Sequence, residues 1–108
     1  HLEFLYNSDQ TLQKNETMIK YKYIKSIEEF SKNNIKSAIA TTTWIINNYD
    51  LEFDWLLGKA HLLRGKCYDI SNMRRSAIED YLVTSRLDNY FPDKSEAELY
   101  LHDPFRLE

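Results

Sequence analysis

Apolar side chains recur along this chain in steps of three and four, the spacing that places them on one face of an α-helix. From about Glu16 to Ser31 they fall at Ile19, Tyr23, Ile27 and Phe30, which predicts a first helix. Lys32, Asn33 and Asn34 interrupt it, and asparagine tolerates the left-handed conformation that ends helices. A second helix is predicted from about Ile35 to Asn48, with Ile35, Ala38, Ile39, Thr42, Ile45, Ile46 and Tyr49 as its buried stripe. The run Thr41 to Thr43 has weak helix propensity, so tertiary packing must hold that stretch helical. After a break near Tyr49 to Leu51, a third helix extends to about Ile70, with Leu56, Ala60, Leu63, Cys67 and Ile70 along one face. Ser71 and Asn72 supply the next turn, and a fourth helix from Met73 to about Leu87 buries Ala77, Ile78, Tyr81 and Leu82.

Pro92 separates this pair of hairpins from the C-terminal segment. Ser95 with Glu98 three residues on is a capping-box pattern, so a short fifth helix is expected over about 93–102, limited by Pro104. Residues 1–15 mix polar positions with Leu2, Phe4, Leu5 and Leu12 in weak periodicity and read as an arm. The expectation is an all-α fold, a single domain over 16–108. Two stacked antiparallel hairpins, about 16–48 and 51–87, precede the terminal helix.

Composition narrows the function classes. Two glycines and two prolines in 108 residues leave few breaks for β-turns. A net charge of −3 provides no basic field of the kind that drives nucleic-acid binding, so nucleic acid is not an expected partner. Cys67 is the only cysteine, which rules out an intrachain disulfide and leaves the redox compartment open. No apolar run approaches the roughly 20 residues that span a bilayer. The chain begins at His1 and reads as a trimmed or mature sequence, which leaves open a lipid anchor upstream.

The two hairpins resemble each other. The segment from Asn33 through Ser37-Ala38-Ile39 lines up with Asn72 through Ser76-Ala77-Ile78 at an offset of 39, while Phe30 lies 38 residues before Tyr68. Between Gly65 and Tyr81, small and aromatic residues stand at Gly65, Tyr68, Ala77 and Tyr81, as close packing of two antiparallel helices around one large ring requires. On these residues the chain resembles the tetratricopeptide repeat (TPR) family. The departures are His61 where the family prefers tryptophan, Arg64 where it prefers leucine, and Asn89 where it prefers proline. The first copy keeps Phe30 and Ala38 but has Thr42 in place of an aromatic. A period of 38 or 39, against the family's usual 34, is similar to a subset found in bacterial cell-envelope proteins. These are the BamD-type lipoproteins of outer-membrane assembly and the periplasmic CpoB type. Their acidic, aromatic or proline-bearing linkers look like Asn47 to Phe53 and Asp88 to Asp93 here.

The resemblance implies a non-catalytic protein–protein interaction scaffold, with an accessory role in outer-membrane protein assembly as its most specific form. A cytoplasmic adaptor or regulatory domain and a self-associating structural subunit are the alternatives. In such stacks the first helix of each hairpin lines a concave face whose free side chains choose the partner. Here that face draws on Lys20, Tyr21 and Lys25 of the first helix and on Lys59, Arg64 and Lys66 of the third. Cations of this kind engage carboxylates on a peptide or helix, and tyrosine offers flat contact area. The family's carboxylate clamp needs three repeats and cannot be completed in two. Two hairpins also fall short of the three units that such arrays usually need, so a cap, self-association or a partner is expected to complete the stack.

No enzyme constellation stands out in the sequence. His1, His61 and His102 are isolated from one another, without the spacing of helical metal ligands, and no cofactor or metal is expected. Cys67 falls on the buried stripe and reads as inert core. Asp50, Glu52 and Asp54 sit where a helix start attracts carboxylates. Arg74 and Arg75 open the fourth helix against its dipole, with Asp69 as the expected compensating neighbour. Glu79 and Asp80 are expected in surface pairs with Arg75. Trp44 and Trp55 are expected in the packing between hairpins, and Tyr90 and Phe91 at the end of the second hairpin.

Overall fold

A computed structural model describes the backbone over residues 2–87 and 91–107, and the side chains over 15–87 and 92–107. Five helices follow one another: α1 (Leu2–Ser31), α2 (Ile35–Asn47), α3 (Trp55–Ile70), α4 (Arg74–Arg86) and α5 (Phe91–His102). No strand occurs among the described residues. Each helix packs on its successor, and α3 also touches α1 and α5. The result is two stacked helical hairpins closed by a C-terminal helix, with α3 at the centre in contact with each of the other four.

Both hairpin turns are built alike. Asn33 (φ 63°) and Asn72 (φ 62°) hold the left-handed conformation. In each, the amide of the following residue reaches back to a carbonyl five residues earlier, Asn34 to Glu29 and Met73 to Tyr68, each at 2.8 Å. This is the Schellman closure, in which asparagine substitutes for the usual glycine. The equivalence holds at an offset of 39 throughout the turn. In that register the counterpart of Tyr68 is Glu29, and the partner of Phe30 is Asp69, so the aromatic pairing expected at 38 does not describe the fold.

Several expected boundaries and faces shift. α1 runs through residues 2–15, where weak periodicity suggests an arm, because helical backbone there does not require an apolar stripe. α3 starts at Trp55, after a bend at Glu52 and Phe53. α5 begins at Phe91, with Pro92 in its first turn, where a missing amide costs no hydrogen bond; Ser95 therefore lies inside the helix and does not cap it. The expectation that Tyr90 and Phe91 seal the second hairpin concerns side chains outside the described residues. So does part of the linker from Asp88 to Asp93.

Two clusters form the core. Ile19, Ile45, Leu56 and Ala60 join α1, α2 and α3, with Tyr23, Ile46, Tyr49 and Leu51 against them. Leu62, Ala77, Tyr81 and Ala97 join α3, α4 and α5, flanked by Tyr68, Tyr100 and Leu101. On α1 the wheel misplaces one position: Ile27 is 44% exposed while Ser26 is fully buried, its hydroxyl donating to the Tyr23 carbonyl at 2.6 Å. The central helix α3 is covered on two sides, so Leu62 and Gly65 are buried along with Leu56, Ala60, Leu63 and Cys67 of the predicted stripe, whose last member, Ile70, is only half-buried at the end of the helix. Trp44 and Trp55 are 36% and 43% exposed and belong to neither core cluster, so they are not the packing between hairpins that was expected; Lys22 of α1 sits 5.2 Å from the Trp44 ring.

Gly65 is where sequence and packing agree most closely. A Cβ on it would stand 2.5 Å from one carbon of the Tyr81 ring and 2.8 Å from the next. The ring is fully buried and cannot retreat. Only a residue without a side chain lets α3 and α4 approach this far.

Candidate functional site

The six side chains expected on one partner-binding face divide into two groups that the fold keeps apart. Those on α3 are engaged within the molecule. The Lys59 ammonium lies 3.1 Å from Asp93 in the first turn of α5, and Lys66 pairs with Glu96 one turn later. α5 therefore lies against the face that α3 was expected to offer. The burial of the Tyr23 hydroxyl and the charges of Asp93 and Glu96 push its pKa up to about 12.

Arg64 turns inward to a buried network. Its Nε and Nη2 donate to the two carboxylate oxygens of Asp80 at 2.9 and 2.8 Å, a bidentate fork, while Nη1 donates to Thr43 of α2 at 3.1 Å. His61 Nδ1 lies 2.7 Å from Asp80 Oδ1. Burial lowers the Arg64 pKa, and the hydrogen bonds and charge of Asp80 more than offset this, leaving it raised. Asp80, 2% exposed, is thus not the surface partner of Arg75 that its charge suggested. Its register does carry a signal: Asp80 stands three residues after Ala77 and four before Thr84, within the stripe that α4 buries. His61 had no such signal, since its burial follows from α3 being covered on two sides.

A second buried carboxylate organises the turn end of α3. Asp69 Oδ2 accepts from the Tyr81 hydroxyl at 2.7 Å, from Arg74 at 3.0 Å and from the Phe105 amide at 2.9 Å. Asp69 does offset Arg74 at the start of α4, as expected. Arg74 Nη2 continues to the carbonyls of Tyr100 and Leu101 at 2.6 and 3.1 Å, in the last turn of α5. Burial, followed by the hydrogen bond and charge of Asp69, raises the Tyr81 pKa far above the ordinary tyrosine value. Tyr81 therefore remains a donor at all physiological pH.

Lys20, Tyr21 and Lys25 lie on α1, away from these networks. Lys20 pairs with Glu16 in solvent. Tyr21 is 57% exposed and its neighbour Ile24 65%. With Lys25, Glu28, Glu29, Lys32 and Asn34 they line an open groove of about 330 Å³. At 100° per residue, Tyr21, Ile24, Lys25 and Glu28 fall opposite Ile19, Tyr23, Ser26 and Phe30, the side that meets the rest of the stack. The offset of 39 gives this outer face its meaning. Tyr21, Ile24, Lys25 and Glu28 correspond to Ala60, Leu63, Arg64 and Cys67. Those α3 residues form the side on which the preceding hairpin docks: Ala60 packs with Ile45 of α2, and Arg64 bonds Thr43. The first hairpin presents the same face uncovered.

The Cys67 thiol is fully buried, and burial together with the Asp80 charge holds its pKa up at about 12, so it is no nucleophile at neutral pH. Among the described residues no group of acidic, histidine or cysteine side chains could hold a metal ion, and no helix is long and apolar enough to cross a membrane. The chain matches no family model, no curated protein and no solved structure.

Proposed function

We propose that this protein is a non-catalytic interaction scaffold of the tetratricopeptide type, and that it holds an α-helix of a partner against the outer face of α1. The observation that carries this reading is the equivalence of that face to the α3 surface that already receives α2. A surface built to accept a helix in the second hairpin stands open in the first, with an apolar centre at Tyr21 and Ile24 and a cation at Lys25. Exposed tyrosine and isoleucine at the centre of a charged rim are the pattern of a contact surface. The partner segment that fits is an amphipathic helix with an apolar stripe and a hydroxyl or carboxylate to meet Lys25, as Thr43 meets Arg64. The period of 38 or 39 and the linkers, similar to those of cell-envelope repeat proteins, support an envelope setting for this role.

The test is affinity capture from separate membrane and cytosolic extracts, followed by affinity measurement on the partner recovered. Ile24→Glu places a charge at the centre of the face, and we expect it to weaken binding by about tenfold or more, about 1.4 kcal/mol, with the melting temperature unchanged. An outer-membrane barrel or its assembly factors among the specific partners supports the envelope role, and partners confined to the cytosol support the adaptor. Undiminished binding by Ile24→Glu removes the outer face of α1 as the contact surface.

A further inference from the structure

The chain after α5 does not run off into solvent. It bends at Asp103, just before Pro104, and lies back across the ends of three helices. The Phe105 amide donates to Asp69 Oδ2 at 2.9 Å. The Phe105 ring meets Tyr100 of α5 edge-on at 5.4 Å between centroids, and Phe30 of α1 at 6.0 Å. The Lys66 ammonium of α3 stands 5.4 Å from its centroid and 5.7 Å from that of Tyr100. One aromatic ring thus fills a socket to which α1, α3 and α5 each contribute one wall.

What holds the segment is narrow. Its first residue, Asp103, still bonds the Leu99 carbonyl of α5 at 3.1 Å, and beyond it one amide and one half-buried ring tie the segment down; among the described residues Arg106 pairs with the neighbouring Asp103, and Leu107 is 56% exposed. The body of the protein is assembled without it. Asp69 keeps Tyr81 and Arg74, and Arg74 keeps the α5 carbonyls, so removing the segment leaves the buried carboxylate paired. Two open cavities of about 250 and 400 Å³ flank Phe105, lined by Asp69, Ile70, Arg74 and the segment itself. There is room beside the ring for a longer extended chain.

We propose that the socket formed by Phe30, Lys66, Asp69 and Tyr100 is a peptide-recognition site, and that residues 103–107 occupy it as a displaceable strap. The ligand is an extended segment of a partner protein with the chemistry of the strap: an aromatic residue preceded by proline, its ring entering between Phe30 and Tyr100 beneath the Lys66 ammonium, and its amide given to Asp69. Proline lowers the cost of ordering such a segment, and the cation favours an aromatic face over an aliphatic side chain. The strap sets the threshold. As a tethered competitor it acts at an effective concentration on the order of millimolar, so only a partner that binds well can replace it. This site is separate from the outer face of α1 and stands or falls without it.

The probe is a fluorescent peptide of residues 101–107, capped at both ends, titrated into the whole protein. Phe105→Ala in the protein empties the socket, and we expect it to bind the peptide at least about tenfold more tightly than the parent does. The same peptide carrying Phe105→Ala should not bind, and Ile24→Glu in the protein should leave binding unchanged. A folded Phe105→Ala protein that fails to bind the peptide overturns the proposal. Hydrogen exchange on the unaltered chain decides the matter independently if that variant does not fold. The Phe105 amide should exchange through a local opening, well before the α3 amides; exchange only together with α3 makes the segment a permanent brace and overturns the strap.

Discussion

The two hairpins share a backbone plan and solve its packing in different ways. At the offset of 39 their turns coincide at Asn33 and Asn72, and Ala38 and Ala77 are both fully buried. Where the second hairpin pairs Gly65 with the large ring of Tyr81, the first has Ser26 and Thr42, two small residues, both fully buried. The volume between the helices is shared out differently around a similar hairpin, which explains why the Gly65–Tyr81 pair has no counterpart in the sequence of the first. The outward faces differ more. Arg64 lies under α2 and is locked to Asp80, while its counterpart Lys25 faces solvent. Position in the stack, and not the local sequence alone, decides whether a cation at this place is structural.

The sharpest way to break the comparison is at that pair. Arg64→Ala leaves the Asp80 carboxylate buried with only His61, and is expected to cost about 3–5 kcal/mol in urea unfolding, whereas Lys25→Ala should stay within about 0.5 kcal/mol. Similar losses at the two sites would mean that α2 does not enclose Arg64.

Next in size is the glycine. Gly65→Ala should destabilise by about 1–3 kcal/mol, because the Tyr81 ring has nowhere to move, and Ser26→Ala by less than about 1 kcal/mol. Combining Gly65→Ala with Tyr81→Thr copies the small pair of the first hairpin. The double-mutant cycle should show favourable coupling, and simple additivity would place the ring elsewhere.

The smallest effect distinguishes Cys67 from its counterpart Glu28, which lies in water. The thiol has an ordinary value of 9.0 and is held up at about 12 in the fold. The folded state therefore keeps a proton that the unfolded state releases. The stability this gives is complete below pH 9 and is lost as pH rises towards 12, roughly 1 kcal/mol at pH 10. Parent and Cys67→Ala proteins melted across this range should diverge by that amount. Parallel pH curves would mean that the thiol ionises as freely folded as unfolded.

Much of the architecture was legible without coordinates. The three-four rhythm located α2, α3 and α4 to within a few residues, and the asparagines at 33 and 72 marked both turns, because these signals are local and act through the helix backbone itself. Gly65 and Tyr81 were legible as a pair, since a missing side chain and a large ring at that spacing imply a close helix approach. The beginning of α1 was not, because a helix can continue without an apolar stripe. Nor was the disposition of the charged candidates, for charge says nothing of which neighbour will cover it.

By itself, then, the sequence determined that the chain is helical, where it turns, and which small residues lie at the helix contacts, because hydrophobic period and left-handed tolerance belong to single segments. Only the tertiary structure decided that Arg64 and Asp80 are interior, that α5 takes up Lys59 and Lys66, and that Phe105 returns to Asp69. Each of those depends on residues 16 to 36 positions apart being brought within a few ångströms, where the loss of water makes pairing obligatory.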